Sequence, residues 1–200
     1  SGPWNSNEFG ILPELTIDFS SSFGFILNYL KVIFKSYKYH IFGWLMRTIE
    51  QFNFKNKKAI IRVDFNVPID NNKVTDSSRI KAAKQTIDKV CNDGGSCVLV
   101  SHLGRPSGFQ KEFSMTNIIN EVENVLERNV VLSKDVIGPD AKKKSLDLKP
   151  HQVLLLENVR FHDEEKKGDI DFAKELSLLA DCYINDAFGT AHRSHASTTT

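Results

Sequence analysis

From about residue 53 onward, short runs rich in Ile, Val and Leu alternate with amphipathic runs, and this alternation constrains the fold more than any other feature of the chain. KKAIIRVDF (57 to 65) reads as a strand, and VPIDNN after it as a turn. SSRIKAAKQTIDKVCNDGG then takes up a helical period. Ser77 or Ser78 can cap it, Ile80, Ala83, Ile87 and Val90 share one face, and Gly94-Gly95 stop it. SCVLVS (96 to 101) is the next strand; Ser114 is placed to cap a helix over MTNIINEVENVLERN, and NVVLS follows as a strand. HQVLLLEN (151 to 158) is apolar without interruption, as a strand covered on both faces should be. IDFAKELSLLA (170 to 180) is helical again and DCYIN (181 to 185) is a last strand. Strands and helices taking turns along this stretch predict an α/β fold, a parallel sheet between two layers of helices.

In open parallel sheets ligands collect outside the carboxyl ends of the strands. The polar motifs of this chain lie at such ends: RVDFNVP, SHLGRP, ENVRF and NDAFGTAHR, each directly after a strand-like run. Alone each is weak, and the coincidence of four is the signal. Arg79, Arg105, Arg160 and Arg193, with His102 and His192, would supply donor forks for phosphate and carboxylate oxygens. Asp64 and Asn66 could accept from and donate to hydroxyls, and Gly104 and Gly189 let backbone approach a ligand closely. A small substrate bearing both phosphate and carboxylate fits this inventory. A nucleotide fits less well, since neither GxxxxGK[ST] nor GxGxxG is present.

Blander readings of the same residues stay open at this point. Asp64 could merely turn the chain after a strand, Arg79 could be a solvated residue at a helix start, and Arg160 could pair with Glu157. His192 and His195 stand three apart, but no Cys or carboxylate joins them at a matching spacing, so no metal site is expected. Lys142-Lys143-Lys144 and Lys166-Lys167 read as solvated faces. A formal net charge of +1 gives no basis for nucleic acid or an anionic membrane as partner. Cys91, Cys97 and Cys182 show no CxxC or zinc-like spacing, so reduced thiols are expected.

Residues 19 to 49 differ from the rest, with no Asp or Glu and nine aromatics from Phe19 to Trp44. Lys31, Lys35 and Lys38 interrupt every long apolar run, which argues against a membrane span. A transit peptide would be richer in Arg and Ser. SGPWNSNEFG has the look of a cloning remnant, and residues 1–45 are read as an extension foreign to the domain.

RVDFNVP, DSSRI, SHLGRP, LLLENVRF and NDAFGTAHR, in this order and at these intervals, resemble the amino-terminal domain of phosphoglycerate kinase. The resemblance runs from about Met46 to the last residue, some three quarters of the chain. It implies a Rossmann-like three-layer sandwich over 46–200 and a glycolytic phosphoryl transfer between 1,3-bisphosphoglycerate and ADP, giving 3-phosphoglycerate and ATP. It puts substrate contacts on Asp64, Phe65, Asn66, Arg79, His102, Leu103, Gly104, Arg105, Arg160, His192 and Arg193, with Arg79 also the catalytic residue that stabilises the phosphoryl group in flight. Mg2+ with ATP or ADP would belong to a second domain of the complete enzyme and not to these residues. The expected protein is a cytoplasmic monomer whose partner is 3-phosphoglycerate or 1,3-bisphosphoglycerate, with no nucleic acid and no membrane. The 200 residues alone are expected to be an incomplete, inactive copy of the domain. A non-catalytic acid-phosphate-binding module is the alternative, and an interaction protein using the aromatic segment is a third class.

Overall fold

The computed structural model describes residues 49–71, 73–187, 189 and 194–199, all within one compact unit, Thr48–Thr200. Residues 1–45 lie outside the described residues. Five strands form one parallel sheet: β1 (Lys58–Arg62), β4 (Ser96–Val100), β5 (Val130–Leu132), β6 (Val153–Leu155) and β7 (Cys182–Asn185), in the order β5-β6-β4-β1-β7. The expected α/β architecture with a parallel sheet is what the chain adopts. β1 lies between β4 and β7, pairing Ala59 with Cys97 of β4 on one side and with Cys182 of β7 on the other.

The sheet has two apolar faces because side chains alternate along each strand. Ala59, Ile61, Cys97, Leu99, Val153 and Leu155 point to one face and Ile60, Val98, Val100 and Leu154 to the other, which explains the uninterrupted apolar runs. Helices α1 (Ser78–Asn92) and α2 (Ile119–Leu126) cover the first face through Ile80, Ile87, Val122 and Leu126. Helices α3 (Pro139–Asp147) and α5 (Ile170–Ser177) cover the second through Ala141, Phe172 and Leu176. The segment after β4 therefore leads to one face and the segment after β6 to the other. Since β4 and β6 are neighbours, their carboxyl ends diverge and leave a crevice, the place where such sheets take ligands.

Several expectations shift in detail. Ser77 sits at the amino cap of α1 but its side chain makes no capping bond; Asp76 Oδ1 takes the Ser78 N–H at 2.8 Å instead. Ser114 caps a 3-10 turn, Met115–Asn117, and α2 proper begins only at Ile119. The turn after β1 contains a small hairpin, β2 (Ile69–Asp70) with β3 (Lys73–Val74). Lys142 to Lys144 belong to α3, and Lys144 is not simply solvated: Nζ donates to Leu132 O at 2.8 Å and to Asp140 Oδ2 at 2.7 Å. Asp163–Lys167 form a further short helix, α4, which carries the other lysine pair. At the α1–β4 junction a Cβ on Gly95 would lie 2.8 Å from Phe54 O and 2.9 Å from both Lys57 O and Val90 O, so only glycine allows this approach. Among the described residues no helix is long and apolar enough to cross a membrane.

Candidate functional site

Four neighbouring strands, β6, β4, β1 and β7, carry the four polar motifs, so sheet order alone brings the motifs to one edge. The loops are also bonded to one another. Beyond β1, Phe65 N–H donates to Ser101 Oγ of the β4 loop at 2.8 Å. Asn66 Oδ1 accepts from Gly104 N–H at 2.7 Å, and Gly104 O accepts from Arg160 Nη1 at 2.8 Å. Asn158 Nδ2 donates to both Leu103 O and Phe113 O at 2.8 Å. The β1, β4 and β6 loops are thus one hydrogen-bonded seam.

Gly104 is the fulcrum of that seam. Its φ is +63°, and an added Cβ would lie 2.3 Å from two ring carbons of Phe113. The glycine expected from sequence is therefore required twice, by conformation and by space. Gly189, expected to serve in the same way, has nothing within 4 Å of its would-be Cβ and is exposed, so sterics do not demand it.

The charged candidates divide by environment. Arg79, in the first turn of α1, donates Nη1 to Asp64 Oδ2, with the Arg79 side chain half exposed. That pairing gives Asp64 more than a turn-forming role. Arg105 is exposed at the rim. Arg160 is buried at 7% exposure and braces the β4 loop. Glu157, weighed as its partner, instead accepts from Ser114 Oγ at 2.6 Å and from the N–H groups of Met115 and Asn158, both at 2.7 Å. The two apolar candidates turn inward. The Phe65 ring is wholly buried in the core, and Leu103, 3% exposed, packs in the same core while lining the concavity beside Gly104. His192 and Arg193 lie outside the described residues.

Sequence reading missed Arg62, Glu165 and Ser197. Arg62, the last residue of β1, is 1% exposed. Its Nε donates to Ser197 Oγ at 2.9 Å, Nη1 donates to Val63 O, and Nη2 stands 3.3 Å from His102 Nδ1. Glu165 of α4 is fully buried; Oε1 takes the Ser197 hydroxyl at 2.6 Å and Oε2 the Ser197 N–H at 2.8 Å. Burial lowers the Arg62 pKa from its ordinary value, while Glu165, Asp64 and Tyr183 hold it up. Burial likewise raises the Asp186 carboxyl at the end of β7, against a hydrogen bond from Thr86. A cation inside an apolar run, as in AIIRVDF, was the available signal for Arg62.

A concavity of 770 Å³ opens beside this seam, lined by Asn66, Leu103, Gly104, Lys111 and Phe113 among others. Another, of 410 Å³, lies at Ile60, Leu176, Tyr183 and Ser197 and, among the described residues, shares no lining residue with the first. Exposed guanidinium, a backbone held open by glycine and an Asp–Asn pair suit an anionic, hydroxyl-bearing ligand.

A sequence model of the phosphoglycerate kinase family matches residues 49–200. Phosphoglycerate kinase of Porphyromonas gingivalis is 48% identical over 175 residues, covering 76% of this chain and 42% of the relative. Phosphoglycerate kinase of Moorella thermoacetica is 47% identical over 152 residues, covering 76% and 39%. Phosphoglycerate kinase 3, cytosolic, of Arabidopsis thaliana is 47% identical over 152 residues, covering 76% and 38%. The solved structure of phosphoglycerate kinase from Pyrococcus horikoshii superposes with a TM-score of 0.69 at 33% identity, covering 76% of this chain and 39% of that one. The Coxiella burnetii structure gives 0.67 at 38%, covering 74% and 37%. The chain spans about two fifths of the length of the curated relatives it matches.

Proposed function

The chain belongs to the phosphoglycerate kinase family, and from that premise we propose that it supplies the acid-phosphate side of the reversible transfer between 1,3-bisphosphoglycerate and ADP. In that reaction the acyl phosphate bond breaks, the phosphoryl group joins an oxygen of the ADP β-phosphate, and 3-phosphoglycerate and ATP result. The observation that carries the reading is the seam: three strand-end loops fixed to each other around Gly104, with Arg79 and Arg105 exposed beside them.

Phosphoryl transfer asks little covalent chemistry of a protein and much alignment and charge neutralisation. Arg105, with Arg160 and Arg193, would grip the phosphate and carboxylate ends of 3-phosphoglycerate. Asp64 and Asn66 would meet the hydroxyl region. Arg79 would leave Asp64 to meet the phosphoryl group in flight. Mg2+ and ATP or ADP, used by the family, are assigned to no residue here. The protein is proposed to act as a cytoplasmic monomer.

The test is a titration of the chain with 3-phosphoglycerate, with inorganic phosphate as the control, followed through the amide signals of Asn66, His102 and Gly104. Saturable shifts with 3-phosphoglycerate at concentrations where phosphate is silent are expected. Shifts that never exceed those with phosphate alone would remove the reading.

A further inference from the structure

Beneath the crevice a line of polar groups runs from α4 to the β4 loop, and its donors and acceptors have only one consistent order. Glu165, as carboxylate, only accepts, so the Ser197 hydroxyl must donate to Oε1. The Ser197 oxygen is then left to accept from Arg62 Nε. A guanidinium has five donors and no acceptor, so where Nη2 meets His102 Nδ1 at 3.3 Å, Nδ1 must be the acceptor. A proton on Nδ1 would point at an N–H of a cation inside the protein.

We propose that Arg62, anchored by Ser197 and Glu165, is a positioning residue that holds His102 as the tautomer protonated on Nε2. His102 is thereby kept a neutral ring that carries its proton on Nε2, the tautomer a donor role toward an anionic oxygen would need. The tautomer is set by the hydrogen bond the other ring nitrogen makes. Here that bond comes from a side chain 1% exposed, whose rotation is blocked by Val63 O on one nitrogen and Ser197 Oγ on another. The charged groups around the guanidinium are Glu165 from α4, Asp64 beyond β1 and Tyr183 from β7, and His195 stands 3.7 Å from Glu165. Glu165 and Asp64 oppose the cation and Tyr183 hydrogen-bonds Ser197 O at 2.8 Å, so the anchor is held from three elements. The ligand-donor role rests on the functional reading above; the tautomer does not.

The experiment is a long-range proton–nitrogen correlation spectrum of the histidine rings of the unliganded chain, recorded across about pH 6 to 8, the range in which an ordinary histidine titrates. His102 should show a protonated Nε2 and an unprotonated Nδ1 throughout. A proton on Nδ1, or on both nitrogens at neutral pH, overturns the proposal without any variant. In a folded Arg62→Met chain the two tautomers should mix and 3-phosphoglycerate affinity should fall about tenfold, the loss of one charge-assisted bond at the ring's partner. An unchanged tautomer in that chain also overturns the proposal, and if it does not fold the wild-type spectrum decides. The Nε2–H tautomer with no 3-phosphoglycerate binding would defeat the functional reading and leave the tautomer assignment intact.

Discussion

Asn66 Oδ1 accepts the Gly104 N–H at 2.7 Å, joining the loop after β1 to the loop after β4 across 38 residues of chain. Asn66 is partly buried, and its amide oxygen is engaged in the protein's own seam. An adjoining strand end is thus fixed by a side chain that sequence reading had assigned only to a ligand.

Gly104→Ala should destabilise the fold by about 2 kcal/mol, since it combines a left-handed backbone with a clash against Phe113. Gly189→Ala should cost little, because nothing stands near its Cβ position. Urea midpoints of the two variants check this, and equal losses would refute the distinction.

Arg105→Ala and Arg160→Ala should each weaken 3-phosphoglycerate binding by roughly 1.5–3 kcal/mol, about one to two decades. Their effects on folding should part company. Arg105 is exposed and its removal should leave the melting temperature in place. Arg160 is buried and bonded to Gly104 O, so its removal should lower stability as well. Calorimetric titration paired with thermal melts separates the two.

Arg79→Ala should change stability by less than about 1 kcal/mol, because its ion pair with Asp64 is half exposed and screened. Ground-state affinity should also change little. In an enzyme that contains this domain together with the nucleotide side, turnover should collapse, and Arg79→Lys should restore little of it, since an ammonium cannot copy the planar fork. Steady-state kinetics give the readout: a raised KM with kcat preserved would show that Arg79 binds the ground state instead.

Tyr183 provides a pH dependence. Burial pushes its phenol up to about 12 from 10.0, against the pull of Arg62. A pKa raised on folding favours the protonated form in the folded state. Its contribution is whole below about pH 10 and is lost as pH rises toward about 12. Urea unfolding at neutral pH and in this alkaline window should show a loss of stability that is smaller in Tyr183→Phe. A Tyr183→Phe chain with the same alkaline loss as the parent would exclude Tyr183 as its source.

The parallel sheet was legible because its strands are short apolar runs with helical periods between them. α3 was not, because AKKKSLD buries only Ala141 and Ser145 and so shows almost no apolar face. Its start is held from outside by Asp135, whose carboxylate takes the Asp140 N–H at 3.1 Å and the Ala141 N–H at 2.9 Å. The arginines of the rim were legible because they sit in motifs directly after strands. Arg62, Glu165 and Ser197 were not, since their bonds span 135 and 32 residues and no local spacing reports them. Phe65 and Leu103 lie inside motifs that are contiguous in sequence, but successive residues of an extended chain face opposite ways, so motif membership alone could not show that both side chains pack in the core.

The seam around Gly104 has a thermodynamic consequence. Its bonds come from Asn66 and Arg160, whose neighbours Phe65 and Val159 are core residues, so the recognition surface and the apolar interior share their attachments. A loop that must order itself around a guest forfeits part of the interaction to lost chain entropy, but loops fastened in this way have already given up that freedom when the sheet forms. Heating should therefore not loosen the crevice ahead of the rest, and the capacity to recognise a ligand should vanish in the same cooperative transition that melts the strands.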